Sequence, residues 1–207
     1  MDHTLTIHSR KNPQKQRKTM KTQHKTIIIT TILLFIIILN LYIFRQQIKQ
    51  YTYGMLTNSY FTIDELCASE TAKKNNIDNS PAPAISDNLQ ALIDNVLDPA
   101  REEFGSTVWV NSGYRSKQLN RLVGGTNNSQ HTTGQAADIT TKTKEGNQKL
   151  FTILIQQNNY DQIIWEGGGS WIHVSYNPNG QNRKQILAQN NNGTYTNIKT
   201  NWQTHIA

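Results

Sequence analysis

The pattern of apolar and polar positions divides the chain into one long hydrophobic run near the start and a longer segment of short amphipathic elements. Residues 26–44 contain no charged side chain. At a rise of 1.5 Å per residue, a run of about this length crosses a hydrocarbon core of ~30 Å. The run therefore predicts a single transmembrane helix.

Basic residues surround this run unevenly. Seven lysines and arginines precede it, whereas Arg45 and Lys49 are the ones that follow it closely. The positive-inside rule then predicts a cytoplasmic N-terminus, a single pass through the inner (cytoplasmic) membrane and a periplasmic or extracytoplasmic remainder. A cleaved signal peptide is the alternative, because it also joins a basic start to an apolar run. The length of the run and the lack of a small-x-small site after it favour a retained anchor.

The rest of the chain alternates between helical and strand periodicity. Apolar residues recur at helical spacing from Leu89 to Ala100, and Pro99 should kink this helix near its end. A glycine-rich segment between two β-prone runs predicts a hairpin. The other predicted elements are strands at 107–111, 136–140, 162–166 and 171–176 and helices at 117–123 and 149–157. This order favours an α+β fold with helices packed on a small antiparallel sheet.

Composition refines the domain plan. We expect a basic cytoplasmic tail at 1–25, the anchor at 26–44 and a linker at 45–60. A folded domain at 61–187 and a poorly ordered Asn-rich tail at 188–207 should follow. The single cysteine, Cys67, excludes an intrachain disulfide. Although the formal charge is +7, residues 51–207 contain 12 basic and 13 acidic side chains. We therefore expect a domain that does not bind nucleic acid. We also expect the protein to be a monomer.

Three residues carry the candidate chemistry: His131, Asp138 and His173. Two imidazoles and one carboxylate form the ligand set of a catalytic zinc, which leaves a fourth position for water. A structural site closed by thiolates does not fit a chain with one cysteine. The alternative is a strand histidine whose ring nitrogen is satisfied by a backbone carbonyl. If the three residues converge, they predict one Zn²⁺ per chain and a hydrolase.

A zinc hydrolase also needs a general base, and Glu166 is the candidate. If residues 167–170 form the turn, Glu166 opposes Trp171 and lies diagonal to His173, with Cβ atoms ~7 Å apart. The alternative is a solvated acidic residue at the rim of the hairpin. Asp161 is expected on the other side of the same strand. Taken alone, Arg115 and Ser129 are ordinary loop residues, although an arginine there can pair with a carboxylate or an oxyanion.

Three motifs occur in a fixed order: Ser-Gly-Tyr-Arg-Ser at 112–116, Ser-x-His-x-x-Gly-x-Ala-x-Asp at 129–138 and Trp-Ile-His-Val at 171–174. Together they resemble the zinc D-Ala-D-Ala metallopeptidases of peptidoglycan metabolism, over roughly residues 61–187. The resemblance implies that one zinc is bound by the two histidines and the aspartate named above. It also implies that Arg115 stabilises an oxyanion or binds substrate, and that Ser129 lies near a substrate carboxylate.

One position departs from the pattern of the family. Many members place the catalytic glutamate three residues before the last histidine, where this chain has Ser170. The base is therefore expected to be Glu166. The expected function is a membrane-anchored zinc peptidase that cleaves peptidoglycan stem peptides containing D-amino acids, as a carboxypeptidase or an endopeptidase. The alternatives are a phage lysis protein and a catalytically inactive, zinc-containing module for cell-wall binding or phage assembly.

Overall fold

The computed structural model describes residues 28–45 and 59–206, which fall in two compact units. The first contains helix α1 (Ile28–Arg45), whose mean hydropathy is 2.3 and whose length and composition suffice to cross a membrane. The predicted basic tail and nearly all of the predicted linker lie outside the described residues.

The second unit is an α+β domain, as the sequence predicts, and it is built on one six-stranded sheet that includes two strands beyond the four predicted. Its strands are β1 (Trp109–Ser112), β2 (Ala136–Thr140), β3 (Gln162–Glu166), β4 (Trp171–Ser175), β5 (Gln185–Gln189) and β6 (Tyr195–Asn197). Its helices are α2 (Ile63–Cys67), α3 (Glu70–Lys74), α4 (Pro83–Leu92), α5 (Asp98–Phe104), α6 (Lys117–Leu122), α7 (Lys144–Gln157) and α8 (Trp202–Ile206). The strand order is β1-β2-β4-β3-β5-β6, with all neighbours antiparallel except the parallel pair β3 and β5.

The two faces of the sheet have different chemistry because alternate side chains of a strand point to opposite faces. One face is apolar and contributes Ile139, Ile163, Trp165 and Ile172 to the core, together with residues of α4, α5 and α7. The register places Asp138 opposite His173, and His173 opposite Ile164, on the other face. The helices therefore cover one face, and the opposite face carries the polar side chains.

A π-helical stretch, Ile93–Leu97, joins α4 to α5 and ends two residues before Pro99. Proline has no amide hydrogen, so it cannot bond to the carbonyl four residues earlier. That carbonyl belongs to Asn95, which accepts a hydrogen bond of 2.7 Å from Nδ2 of Asn159 instead. The irregularity expected at the proline is thus a wider helical turn that begins before it.

The segment after Gln189 is ordered, contrary to the expectation of a poorly ordered tail. Strand β6 and helix α8 follow β5, and Ile198 and Ile206 are buried in the core. The ring of Trp202 lies with its centroid 6.3 Å from that of Phe151. These apolar residues are separated by polar ones, so the sequence gives no periodic signal for β6 or α8.

Candidate active site

The structure brings His131, Asp138 and His173 together. Nε2 of His131 lies 3.2 Å from Nδ1 of His173, and Oδ1 of Asp138 lies 3.2 Å and 3.0 Å from the same two nitrogens. All three residues are buried, with 3%, 8% and 8% of their surfaces exposed. Three buried atoms with lone pairs therefore face one point.

Local structure fixes each of these side chains. Asp138 and His173 are direct partners in the β2–β4 ladder, and His131 lies in a short 3₁₀-helix (Gln130–Thr133) that leads into β2. Nδ1 of His131 donates to the carbonyl oxygen of Gly113 at 2.7 Å, which leaves the lone pair of Nε2 directed at the other two ligands. Gly113 must be a glycine, because a Cβ there would collide with the carbonyl of Leu66.

The arrangement fits a tetrahedral metal ion. Bonds of about 2.0–2.1 Å to zinc place neighbouring ligands of a tetrahedron roughly 3.3 Å apart, close to the separations found here. Burial alone would raise the pKa of Asp138, but the charges of His131 and His173 when their rings are protonated, together with their hydrogen bonds to the carboxylate, outweigh it and hold that pKa below its usual range. The aspartate is therefore an anionic ligand, as a cation requires.

Arg115 supports this set from the second oxygen of the aspartate. Its Nη2 lies 2.5 Å from Oδ2 of Asp138, and its Nε donates to the hydroxyl of Ser112 at 2.7 Å. Its backbone N–H also donates to the carbonyl oxygen of His131 at 3.2 Å. Arg115 thus orients two members of the triad. The oxyanion or substrate role that the resemblance implies for it stays a prediction.

Glu166 lies on the same face of the sheet as His173, and the predicted register of the hairpin is confirmed: Glu166 pairs with Trp171 and Ile164 with His173. Oε2 of Glu166 accepts from the indole N–H of Trp171 at 2.7 Å. Oε1 accepts from the hydroxyl of Tyr195 at 2.9 Å. The carboxylate is therefore held in a defined position instead of rotating freely at the end of β3.

Ser170 has a different role. Its hydroxyl donates to the carbonyl oxygen of Gly167 at 2.7 Å, and its own carbonyl oxygen accepts from Thr140 at 2.9 Å. The side chain belongs to the turn between β3 and β4, where Gly167, Gly168 and Gly169 all have positive φ. Position 170 therefore contributes to the turn and brings no carboxylate to the cleft.

The triad and Glu166 line one cleft of about 710 Å³. This is within the range of ~300–1,000 Å³ usual for small-ligand sites. Ser129 and Arg115 line the same cleft, so all six candidate site residues from the sequence lie in its wall. The candidate ligands are therefore open to this cleft.

Sequence reasoning missed a second polar group in the cleft. Strand alternation places Asp161 on the other side of its strand, but this residue precedes β3 and lies in the cleft wall, where Nε of Arg183 donates to its two oxygens at 3.1 and 2.9 Å. Gln130, next to the ligand His131, donates to the same carboxylate at 3.0 Å. The arginine and the aspartate are 22 positions apart in the sequence, so no local pattern predicts the pair.

The His-Asp-His set, the cleft and a nearby carboxylate define the class of metal-dependent hydrolases. Residues 59–175, more than half of the chain, match the family described as Peptidase M15. The chain belongs to this family, whose members are zinc-dependent peptidases that act on peptidoglycan peptides. A comparison with curated proteins found no match. The matched region ends at the last residue of β4, so β5, β6 and α8 follow it.

Proposed function

We propose that this protein is a membrane-anchored zinc peptidase that cleaves peptidoglycan stem peptides containing D-amino acids, as a D-Ala-D-Ala carboxypeptidase or an endopeptidase. The observation that carries the proposal is the convergence of three ligand atoms within 3.0–3.2 Å of one another in a cleft that also presents Glu166. Family membership supplies the substrate class.

His131, Asp138 and His173 would hold one Zn²⁺. When bound, the ion supplies a Lewis acid and lowers the pKa of its water towards neutrality. Arg115 keeps the second oxygen of Asp138 occupied, so the carboxylate presents a single oxygen to the site. The hydrogen bond from His131 to Gly113 holds the ring in the tautomer that ligation requires.

Glu166 is the general base of the proposed reaction. It takes the proton of the attacking water and later delivers a proton to the leaving amine of the cleaved peptide. Its bond to the indole of Trp171 keeps the carboxylate on the face of the sheet that carries His173. Arg115 is proposed to stabilise the oxyanion of the tetrahedral intermediate or to bind substrate, and Ser129 to donate to a substrate carboxylate.

Helix α1 is proposed to anchor the enzyme, with the N-terminus in the cytoplasm and the domain of residues 61–187 facing the cell wall. Its apolar surface and the basic residues before it support this orientation. An anchored monomer of this kind would meet stem peptides on the extracytoplasmic side. Alkaline extraction of membranes and protease protection of sealed vesicles test the anchor and its orientation.

The activity is tested with the full chain purified in detergent, with its zinc content measured by atomic emission. Purified peptidoglycan is digested and the products are identified by mass. Release of free D-alanine indicates a carboxypeptidase, and release of larger peptides indicates an endopeptidase. A zinc-loaded protein that cleaves nothing contradicts the enzyme and favours a cell-wall-binding or assembly module.

The role of Glu166 is tested by Glu166→Gln, which keeps the shape and removes the base. We expect kcat to fall by about 10²- to 10⁴-fold while the zinc content is unchanged. Glu145→Gln is the matched control, because this exposed glutamate lies on α7 outside the cleft wall. Full activity of Glu166→Gln would move the base to another residue.

A further inference from the structure

The side chain of Glu166 belongs to a row of four residues that crosses the sheet. Trp171 of β4 pairs with Glu166 of β3, and Gln189 of β5 pairs with Tyr195 of β6. The β3–β5 ladder ends at the pair Trp165 and Ala188, which brings Glu166 and Gln189 next to each other. Gln189 also accepts from the backbone N–H of Gly167 at 3.2 Å.

We propose that Tyr195 is a positioning residue for the general base, so that β6, which follows the region matched to the family, completes the active site. This inference rests on the proposed role of Glu166. The tyrosine hydroxyl donates to Oε1 at 2.9 Å, while the indole of Trp171 donates to Oε2 at 2.7 Å. The carboxylate is therefore held from two sides by neutral donors.

Neutral donors suit a base. A lysine or arginine in the same place would bring a positive charge against the base, which a phenol and an indole do not. Each carboxylate oxygen has two acceptor sites, so one remains for the proton of the attacking water. Burial raises the pKa of the Tyr195 phenol, and the charge of Glu166 raises it further, which keeps the hydroxyl protonated as a donor.

The hydroxyl of Tyr195 does not depend on Glu166 for a hydrogen-bond partner, because the side chain of Gln189 also lies within its reach. The side chain of Tyr195 is 49% exposed, so the hydroxyl could be satisfied by water. The reach across β5 to a residue two strands away is made possible by the β5–β6 hairpin, in which Leu187 pairs with Asn197. The contact therefore holds the carboxylate of Glu166 from a strand on which the tyrosine is half-exposed.

Tyr195→Phe tests the proposal, because it keeps the ring and removes the donor. In the full chain we expect kcat on the peptidoglycan substrate to fall by about 10-fold or more, since small displacements of a catalytic group are costly. KM, zinc content and thermal unfolding should stay at their wild-type values. Tyr60→Phe is the matched control: this tyrosine is 45% exposed, and its ring lies against Arg101.

A double-mutant cycle separates positioning from a general structural role. In the Glu166→Gln background, Tyr195→Phe should cause no further loss, because the group that it orients has been removed. Equal losses in both backgrounds, or loss of zinc or of thermal stability in the single variant, would overturn the inference. An unchanged kcat in Tyr195→Phe would overturn it as well. The proposed function would still stand in that case, provided that the wild-type protein cleaves the substrate.

The contact has a readout that needs no substrate. In protein labelled with ¹³C at tyrosine Cζ, the signal lost in Tyr195→Phe identifies the phenol. Glu166→Gln should lower the pKa of that signal, because the neighbouring negative charge is gone. An unchanged titration would refute the contact itself, whereas absent cleavage by the wild type would refute the proposed function and with it the catalytic part of the inference.

Discussion

Asn147 is the buried residue on which the geometry of the β3–β4 turn depends most directly. It is fully buried in the first turns of α7, and its Nδ2 donates to the carbonyl oxygens of Gly169 and Ser170 at 2.8 and 3.0 Å. Its Oδ1 accepts from the backbone N–H of Thr141 at 2.7 Å. One amide thus joins a helix, the end of β2 and the turn that follows Glu166.

The change to test is Asn147→Ala. It removes the partner of the Gly169 carbonyl and of the Thr141 N–H, while the Ser170 carbonyl keeps its bond from Thr140. One buried carbonyl and one partly buried N–H without partners cost together about 2–4 kcal/mol. For a unit of this size, the melting temperature should fall by at least about 4 °C.

Near-UV circular dichroism measures this loss cleanly. All four tryptophans, Trp109, Trp165, Trp171 and Trp202, belong to the second unit, so α1 contributes no tryptophan signal. Asn75→Ala is the control, because its side chain makes a comparable bond of 2.8 Å to the carbonyl of Thr71 in an exposed position. Exposed changes of this kind cost no more than about 0.5 kcal/mol.

The same variant links stability to chemistry. Gly169 and Ser170 lie between Glu166 and Trp171 along the chain, so a displaced turn should also lower kcat. A melting temperature within about 2 °C of the wild type would refute the argument that the buried amide holds the turn.

Three further predictions concern the metal and the cleft. Chelation should lower the melting temperature, and added zinc should restore it. Zinc should raise the free energy of unfolding by about 4 kcal/mol when free zinc is a thousand times its Kd. A transition that is insensitive to the chelator would contradict a bound metal. Gly113→Ala should weaken zinc binding about 10- to 100-fold in competition with a chelator, because the new methyl group pushes against Leu66 and displaces the carbonyl that orients His131. Burial raises the pKa of Asp161, but the hydrogen bonds from Arg183 outweigh it and lower that pKa. The contribution of Asp161 to stability is therefore fully present above the ordinary pKa of about 3.9, and it is lost as pH falls from there through the lowered pKa. Urea unfolding at pH 7 and pH 3 should show that Asp161→Asn is destabilised at the higher pH and differs less from the wild type at the lower one; a constant difference would count against the ion pair.

The sequence predicts best where periodicity and turn chemistry agree. Residues 136–140 form β2 with the predicted bounds. The hairpin register follows from the glycine-rich turn, since shifting it by one residue would turn the apolar residues of β3 to the wrong face. That register by itself is enough to place Glu166 on the face of the sheet that carries His173.

Bounds without an apolar signal and elements that depend on distant partners could not be predicted in the same way. Helix α7 begins at Lys144, five residues before the predicted start, because Thr143 caps it by accepting from the N–H of Gly146 at 3.0 Å. Its first turns are polar and carry no apolar stripe. Strand β5 acquires its role from a parallel pairing with β3, and the bond between Arg115 and Asp138 joins residues 23 positions apart. Such contacts exist only after the chain has folded.

The strand order has a consequence for whether the strand that carries Glu166 can pair with another molecule. Without β5 and β6, strand β3 would form the rim of the sheet and expose the unpaired backbone groups of Ile163 and Trp165. Rims of this kind recruit strands from other molecules and seed aggregation. The added pair moves the rim to β6, a strand of three exposed residues, Tyr195–Asn197. The C-terminal segment therefore shields the strand that bears Glu166 from intermolecular pairing, at the same edge where it offers the tyrosine hydroxyl to that residue.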